Sequence, residues 1–131
     1  MSEPLWLDRD LILALYEDVV AASGGAFGIR DEGLLESALA RPLNRFLYED
    51  CRDLIELAAT YAVAISGNHP FIDGNKRVAF VALGQFLADN GLELLATDDD
   101  AIRTMLSLAA GELDLPAMVI WLRGVVRETN S

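Results

Sequence analysis

From Asp53 to Gly91 the chain reads as two apolar helices joined by one short polar interruption, and that pairing fixes the middle of any fold it can adopt. Asp53 and Glu56 stand in capping-box spacing at the start of the first helix, with Asp serving for the usual Ser or Thr. The run from Leu57 onward is apolar on nearly all sides, the pattern of a buried helix. The second run, Val78 to Ala88, ends at Asp89-Asn90-Gly91, where Asn-Gly stops a helix with glycine in the left-handed conformation. The interruption is His69-Pro70-Phe71-Ile72-Asp73-Gly74-Asn75-Lys76-Arg77. Two helices this apolar pack on each other as a central pair, so Asn68 to Gly74, which cross between them, sit on rigid scaffolding.

The rest of the chain is helical by the same signals. Asp8 caps a helix whose apolar stripe is Leu11, Ile12, Leu15, Val19 and Val20 and which ends near Ser23-Gly24-Gly25. Another begins at Asp31 or Glu32, buries Leu34, Leu35, Ala38 and Leu39, and stops before Pro42, whose ring disfavours helix in the preceding residue. Leu92 to Ala96 form a short extended segment. Asp98 then caps a helix running through Met105 and Leu108 that frays around Gly111. Asp114-Leu115-Pro116 opens the last helix, with Met118, Val119, Trp121, Leu122 and Val125 as its apolar face. The expectation is an all-α fold, a compact bundle of about six helices with at most minor short strands, in one domain spanning residues 1–131. No internal repeat or linker divides it.

Although 53% of the residues are hydrophobic, no uninterrupted apolar stretch reaches the ~18 to 20 residues that span a bilayer. The longest uncharged run, Leu57 to Ile72, is broken by Gly67, Asn68, His69 and Pro70. The N-terminus meets Asp8, Arg9 and Asp10 without the basic and apolar regions of a secretory signal, so a cytoplasmic location and no membrane partner are expected. Cys51 is the only cysteine and excludes an intrachain disulfide. A net charge of -11 repels a phosphate backbone, which argues against nucleic acid as partner. The acidity also has a plain reading, solubility alone.

The interruption carries the chemistry. It feeds a helix N-terminus, where the first backbone N–H groups lack intrahelical partners and carry the positive end of the macrodipole. That is an anion pocket, and Lys76 and Arg77 extend its charge. Cations at this end of a helix are mildly unfavourable unless an anion is present. Asp73 supplies a hard oxygen of the kind Mg2+ takes when it also holds nucleotide phosphates. His69 is then a general base for a hydroxyl, Gly74 lets the backbone approach the phosphates, and Asn75 hydrogen-bonds and orients them. Lys76 and Arg77 neutralise charge developing in an in-line phosphoryl transfer. Each residue has a bland alternative: His69, Asp73 and Asn75 as turn formers, Lys76 and Arg77 as a solvated pair. Phe71 reads as an anchor into the core, and Asp98-Asp99-Asp100 as helix-start charge rather than a metal cluster.

The nine-residue stretch resembles the signature of the Fic/Doc superfamily, and Lys76 points to its death-on-curing (Doc) toxin branch. Fic adenylyltransferases carry His-Pro-Phe-x-x-Gly-Asn-Gly-Arg with a further arginine three residues on. Here Lys76 replaces the last glycine, and Phe80 stands where the further arginine would be. The segment Gly28 to Pro42 resembles the family's N-terminal segment, and Leu57-Ala58-Ala59-Thr60-Tyr61 with Asn68 the helix leading into the loop, so the likeness covers about residues 28 to 91. It implies the family's helical bundle, ATP as substrate with Mg2+, and a toxin that transfers the terminal phosphate to a threonine of translation elongation factor Tu. It implies a separate antitoxin as well, since no Ser or Thr here is followed by Glu at the spacing of the Fic inhibitory helix. Such an antitoxin folds onto the toxin as a helix in an apolar groove. Transfer of AMP, as in Fic proteins with glycine at the position of Lys76, and a non-catalytic nucleotide-binding or antitoxin-binding module are the alternatives.

Overall fold

The computed structural model describes residues 3–129; Met1, Ser2, Asn130 and Ser131, which the expected domain also includes, lie outside them. Six helices and one small sheet follow in the order α1 (Arg9–Ser23), α2 (Glu32–Glu49), α3 (Leu54–Asn68), α4 (Asn75–Asp89), β1 (Leu92–Leu94), α5 (Asp98–Ala109), α6 (Leu115–Val125) and β2 (Val126–Glu128). The all-α expectation with minor strands holds. α3 is the hub, packing on α2, α4 and α6, while α1 and α5 lean on α4. Its residues Leu57 to Ala62 and Ala64 to Ser66 are all buried, as its all-round apolar pattern requires. Among the described residues no helix is long and apolar enough to cross a membrane.

Local signals place most helix starts. The carboxylates of Asp8, Asp31, Asp53 and Asp114 accept hydrogen bonds from first-turn amides of α1, α2, α3 and α6. Gly24 ends α1 in the left-handed conformation. On α1 the fully buried residue beside Ile12 is Tyr16, whereas Leu11 and Leu15 are only half-buried. At the other end of the bundle Tyr61 is buried against Phe86, and its hydroxyl accepts the Leu7 amide at 3.0 Å.

Three expectations need correction. α2 does not stop before Pro42 but runs through it to Glu49. A proline inside a helix costs ~3 kcal/mol in lost hydrogen bonding and ring clash. Here Pro42 is itself buried, and the turns after it are tied to α3 by Arg45, which donates to Thr60 Oγ1 at 2.9 Å and to Glu56 at 3.2 Å. That use of Glu56 explains the second correction: Asp53 caps α3, but Glu56 faces Arg45 instead of completing the reciprocal box. Third, α5 is capped by Thr97, whose hydroxyl accepts from the Asp100 amide, so Asp98 falls inside the first turn. Leu92 to Leu94 are extended as expected, and their partner is the chain's end, with Leu94 opposite Val126 in an antiparallel pair.

Candidate active site

The nine-residue interruption is held on both sides by the protein itself. α3 ends at His69, whose backbone is left-handed (φ 49°) and whose amide still donates to Ile65 O. Arg30 holds that end: its Nε donates to the carbonyl of His69 at 2.6 Å and its second guanidinium nitrogen to the carbonyl of Asn68 at 2.8 Å. Asn68 in turn donates through Nδ2 to the Leu34 carbonyl on α2. Although its composition suggests a loop free of strand, the segment has some. Ile29 and Phe71 form an antiparallel bridge, the amides of Arg30 and Asp31 both donate to Pro70 O, and the Ile72 amide donates to Gly28 O. The segment before α2 therefore braces the loop along its length.

Phe71 is the expected anchor. It is fully buried and stacks on Tyr16 with ring centroids 3.9 Å apart, and the Tyr16 hydroxyl accepts the Gly28 amide at 2.7 Å. Beside it, Asn75 is committed to the loop. Its Oδ1 accepts the Phe71 amide and its Nδ2 donates to the Phe71 carbonyl, both at 2.9 Å. The other Nδ2 hydrogen has no partner among the described residues. Gly74 sits at φ 80°, a conformation that a side chain disfavours; a Cβ there would meet Val19 only at ordinary contact distance, so the backbone rather than crowding demands glycine.

His69, Asp73, Gly74, Asn75, Lys76 and Arg77 line one cavity of about 490 Å3, so every site residue expected from the motif faces a common space. α4 opens into it with no capping side chain, alone among the six helices of the described residues. Its first turn holds Lys76 and Arg77, both exposed. Of the chain's ten Lys and Arg side chains these two are the ones with no oxygen partner among the described residues. Open amides and two unpaired cations make a strong anion-binding end.

The exposed Asp73 carboxylate lines the cavity, and its Oδ1 accepts the Gly74 amide at 2.8 Å. Gly25, after α1, leaves room for it: a Cβ at that position would stand 2.7 Å from Asp73 Oδ2. Among the described residues no group of three His, Cys, Asp or Glu side chains is placed to hold a metal unaided. Asp73 therefore fits Mg2+ in the way nucleotide sites take it, with one protein carboxylate and the remaining oxygens from phosphates and water. The Asp98–Asp100 run serves α5, and Asp100 accepts Trp121 Nε1 at 2.8 Å.

Lys76 and Arg77 also line a second cavity, of about 400 Å3, walled by Phe80 on α4 and by Ala101, Ile102, Met105 and Leu106 on α5, with Asp98 at its edge. Sequence reasoning, which named only Met105 and Leu108 among the apolar residues of α5, missed this cleft; it also missed Gly25 and Ser66 at the main cavity and the hold of Arg30 on the carbonyls of Asn68 and His69.

A model of the Fic/DOC family matches residues 6–87. The chain is 34% identical over 112 residues to "Protein kinase doc" of Escherichia phage P1, an alignment covering 86% of this chain and 88% of that protein. It is 38% identical over 116 residues to "Toxin Doc" of Mycolicibacterium smegmatis, covering 82% of this chain and 88% of the relative.

Proposed function

The chain belongs to the Fic/DOC family, and we propose that it is the toxin of a type II toxin–antitoxin pair, a cytoplasmic protein kinase that moves the gamma phosphate of ATP to a threonine of elongation factor Tu and so blocks translation. The observation that carries this reading is the uncapped start of α4, with Lys76 and Arg77 unpaired beside His69 and Asp73 in one cavity. The names of the two relatives support a toxin and a kinase.

In this reading His69 takes the proton of the acceptor hydroxyl as its oxygen bonds to the gamma phosphorus. The bond from that phosphorus to the bridging oxygen breaks, and ADP leaves with the electron pair. Lys76, Arg77 and the open amides of α4 neutralise the charge spread over the transferring phosphoryl group. Asp73 would hold Mg2+, which supplies charge neutralisation at the phosphates. Arg30 acts through the backbone, fixing the carbonyls of Asn68 and His69 and hence the direction of the imidazole. The antitoxin is a second protein whose helix covers an apolar groove of the toxin.

The test is incubation in bacterial lysate with ATP labelled at the alpha or the gamma phosphate. Gamma label on a protein of elongation-factor size, mapped to threonine, is the expected result. Alpha label on protein would replace the kinase with an AMP transferase.

A further inference from the structure

α3 carries three side-chain hydroxyls, on Thr60, Tyr61 and Ser66, and two of them are engaged within the protein. Thr60 Oγ1 accepts from Arg45 at 2.9 Å and donates to Glu56 O at 2.7 Å. The Tyr61 hydroxyl accepts the Leu7 amide at 3.0 Å. Ser66 is only 4% exposed, yet its hydroxyl has no hydrogen-bond partner among the described residues. No fully enclosed polar side-chain atom of those residues lacks a partner, so the Ser66 oxygen is not sealed in. It opens into the cavity that Ser66 lines together with His69, Asp73, Lys76 and Arg77. We infer that this hydroxyl is a further binding group of the site, donating its hydrogen to a phosphoryl oxygen of the anion held at the start of α4.

The fold by itself favours alanine at this position. The same helix is filled with Ala58, Ala59, Ala62 and Ala64, all fully buried. Alanine is the best helix former, and serine is a poorer one because its hydroxyl competes for backbone groups. Thr60 meets that problem by bonding back to the carbonyl one turn before it; Ser66 does not. A hydroxyl taken out of bulk water without a partner also costs free energy. Serine is thus disfavoured at position 66 on both counts, and a ligand in the cavity reverses the second.

The chemistry of the cavity names the ligand. The inference rests on the proposed function only in taking that ligand to be a phosphorylated anion; it holds whichever phosphate is transferred and whatever accepts it. The α4 amides, Lys76 and Arg77 suit oxygens that carry negative charge. Ser66 reaches the same space from the end of α3, whose last carbonyls carry the negative end of the macrodipole and would repel an anion. Arg30 occupies the carbonyls of Asn68 and His69, which leaves the Ser66 hydroxyl as a neutral donor on that side. A hydroxyl rotates to suit its acceptor and has one hydrogen to give. The phosphoryl group is then held from two directions, by charge and amides at α4 and by one directional hydrogen bond from α3. Salt screens the first contribution and leaves the second largely intact.

Titration calorimetry of the full chain with inorganic tripolyphosphate reads this contact without requiring turnover. Ser66→Ala should bind tripolyphosphate about tenfold more weakly or worse, the effect of losing one hydrogen bond to a charged group. Its Tm should equal or exceed that of wild type, because the change removes an unpartnered hydroxyl and supplies the better helix former. The ratio of the two affinities should persist at high salt. Ser66→Cys, close in size but a weak donor, should fall between them. Ser23→Ala is the control: Ser23 lines the same cavity, but its hydroxyl is turned to Val20 O at 3.4 Å, so the affinity should not change. Equal affinity in wild type and Ser66→Ala would overturn the inference and leave the hydroxyl to water. A Tm that falls along with affinity would overturn it in favour of a structural role, and slower transfer at unchanged tripolyphosphate affinity in favour of a bond to the imidazole of His69. Wild-type protein that does not bind tripolyphosphate at all would bring down the anion-site reading itself, and the inference with it.

Discussion

Asn75 is the residue whose removal the structure prices most directly. Its carboxamide closes a ring with the backbone of Phe71, accepting the amide and donating to the carbonyl at 2.9 Å each, and Asn75 is only 8% exposed. Phe71 is fully buried, so Asn75→Ala strands one N–H and one C=O away from water. Each orphaned buried group costs ~1–3 kcal/mol. Because the cavity beside the loop can admit water and let it relax, the lower part of the sum applies, about 2–4 kcal/mol. Against a total stability of about 5–15 kcal/mol this is a large fraction. At roughly 4 °C per kcal/mol for a domain of this size, it lowers Tm by about 8–16 °C. Urea unfolding should show a lower midpoint with an unchanged slope, the mark of lost stability rather than altered compactness. Asn75→Asp separates the two bonds. It keeps an acceptor for the Phe71 amide but sets a carboxylate against the Phe71 carbonyl, so that amide stays protected from hydrogen exchange while the protein still loses stability. If Asn75→Ala unfolds within ~0.5 kcal/mol of wild type, the spread of neutral surface changes, with the Phe71 amide still protected, the ring is not holding the loop.

Five further outcomes are set by the geometry. His69→Ala should leave a folded protein whose phosphate transfer drops ~10^2 to 10^4-fold; Arg30→Ala, which keeps the imidazole and removes the hold on its carbonyl, should lower kcat by up to ~10^2 with KM for ATP unchanged, and Arg30→Lys should recover part of it. A larger KM effect than kcat effect in Arg30→Ala would contradict a positioning role. Asp73→Asn should lower turnover and abolish its response to added Mg2+, so wild-type activity with normal Mg2+ dependence returns Asp73 to being a turn residue. Lys76→Gly should give little gamma or alpha transfer, because a cation is lost while Phe80 still stands where the Fic arginine would be; robust alpha transfer by this variant would count against the reasoning. Burial pushes the Tyr61 hydroxyl up to about 12 against an unfolded value of ~10. The folded state then holds the proton more tightly, so this contribution is intact below pH ~10 and is lost as pH rises toward 12. Alkaline unfolding titrations should show that slope in wild type and a flatter one in Tyr61→Phe.

What the sequence made legible was what it kept local. Asp8, Asp31, Asp53 and Asp114 each cap the helix they precede, because a cap needs only its own next three residues. The grouping of the candidate site was legible for the same reason, since its six expected residues fall within nine positions and line one cavity. What was missed depends on distant partners. α2 survives Pro42 because Arg45 ties its last turns to Thr60 and Glu56 on another helix. Arg30 sits 39 residues before the carbonyl it holds, and a backbone carbonyl has no signature in a sequence. The β1–β2 pair joins Leu94 to Val126, with a full helix pair between them. The Phe80 and Ile102 cleft was hidden because an apolar residue on a helix reads as core until its neighbours are known.

The start of α4 supports the proposed reading of the motif as a functional arrangement over the one of plain turn chemistry. The means of capping it were present. Asp73 and Asn75 flank Gly74, the N-cap, and either is of a capping type. Instead Asp73 takes the amide of Gly74 itself, one position too early to satisfy the helix, and Asn75 turns back to Phe71. A missing cap costs about 1 kcal/mol. Two cations in the first turn add a further ~0.3–1 kcal/mol each before solvent screening. Turn formers and a solvated pair would have no reason to combine these penalties at one helix end when five other helices of the described residues avoid the first of them. An anion bound across the open amides reverses the sign of both, turning the exposed N–H groups into donors and the cations into partners. Addition of tripolyphosphate should therefore stabilise the protein against unfolding by an amount that falls with salt, and Lys76→Gly should remove most of that gain.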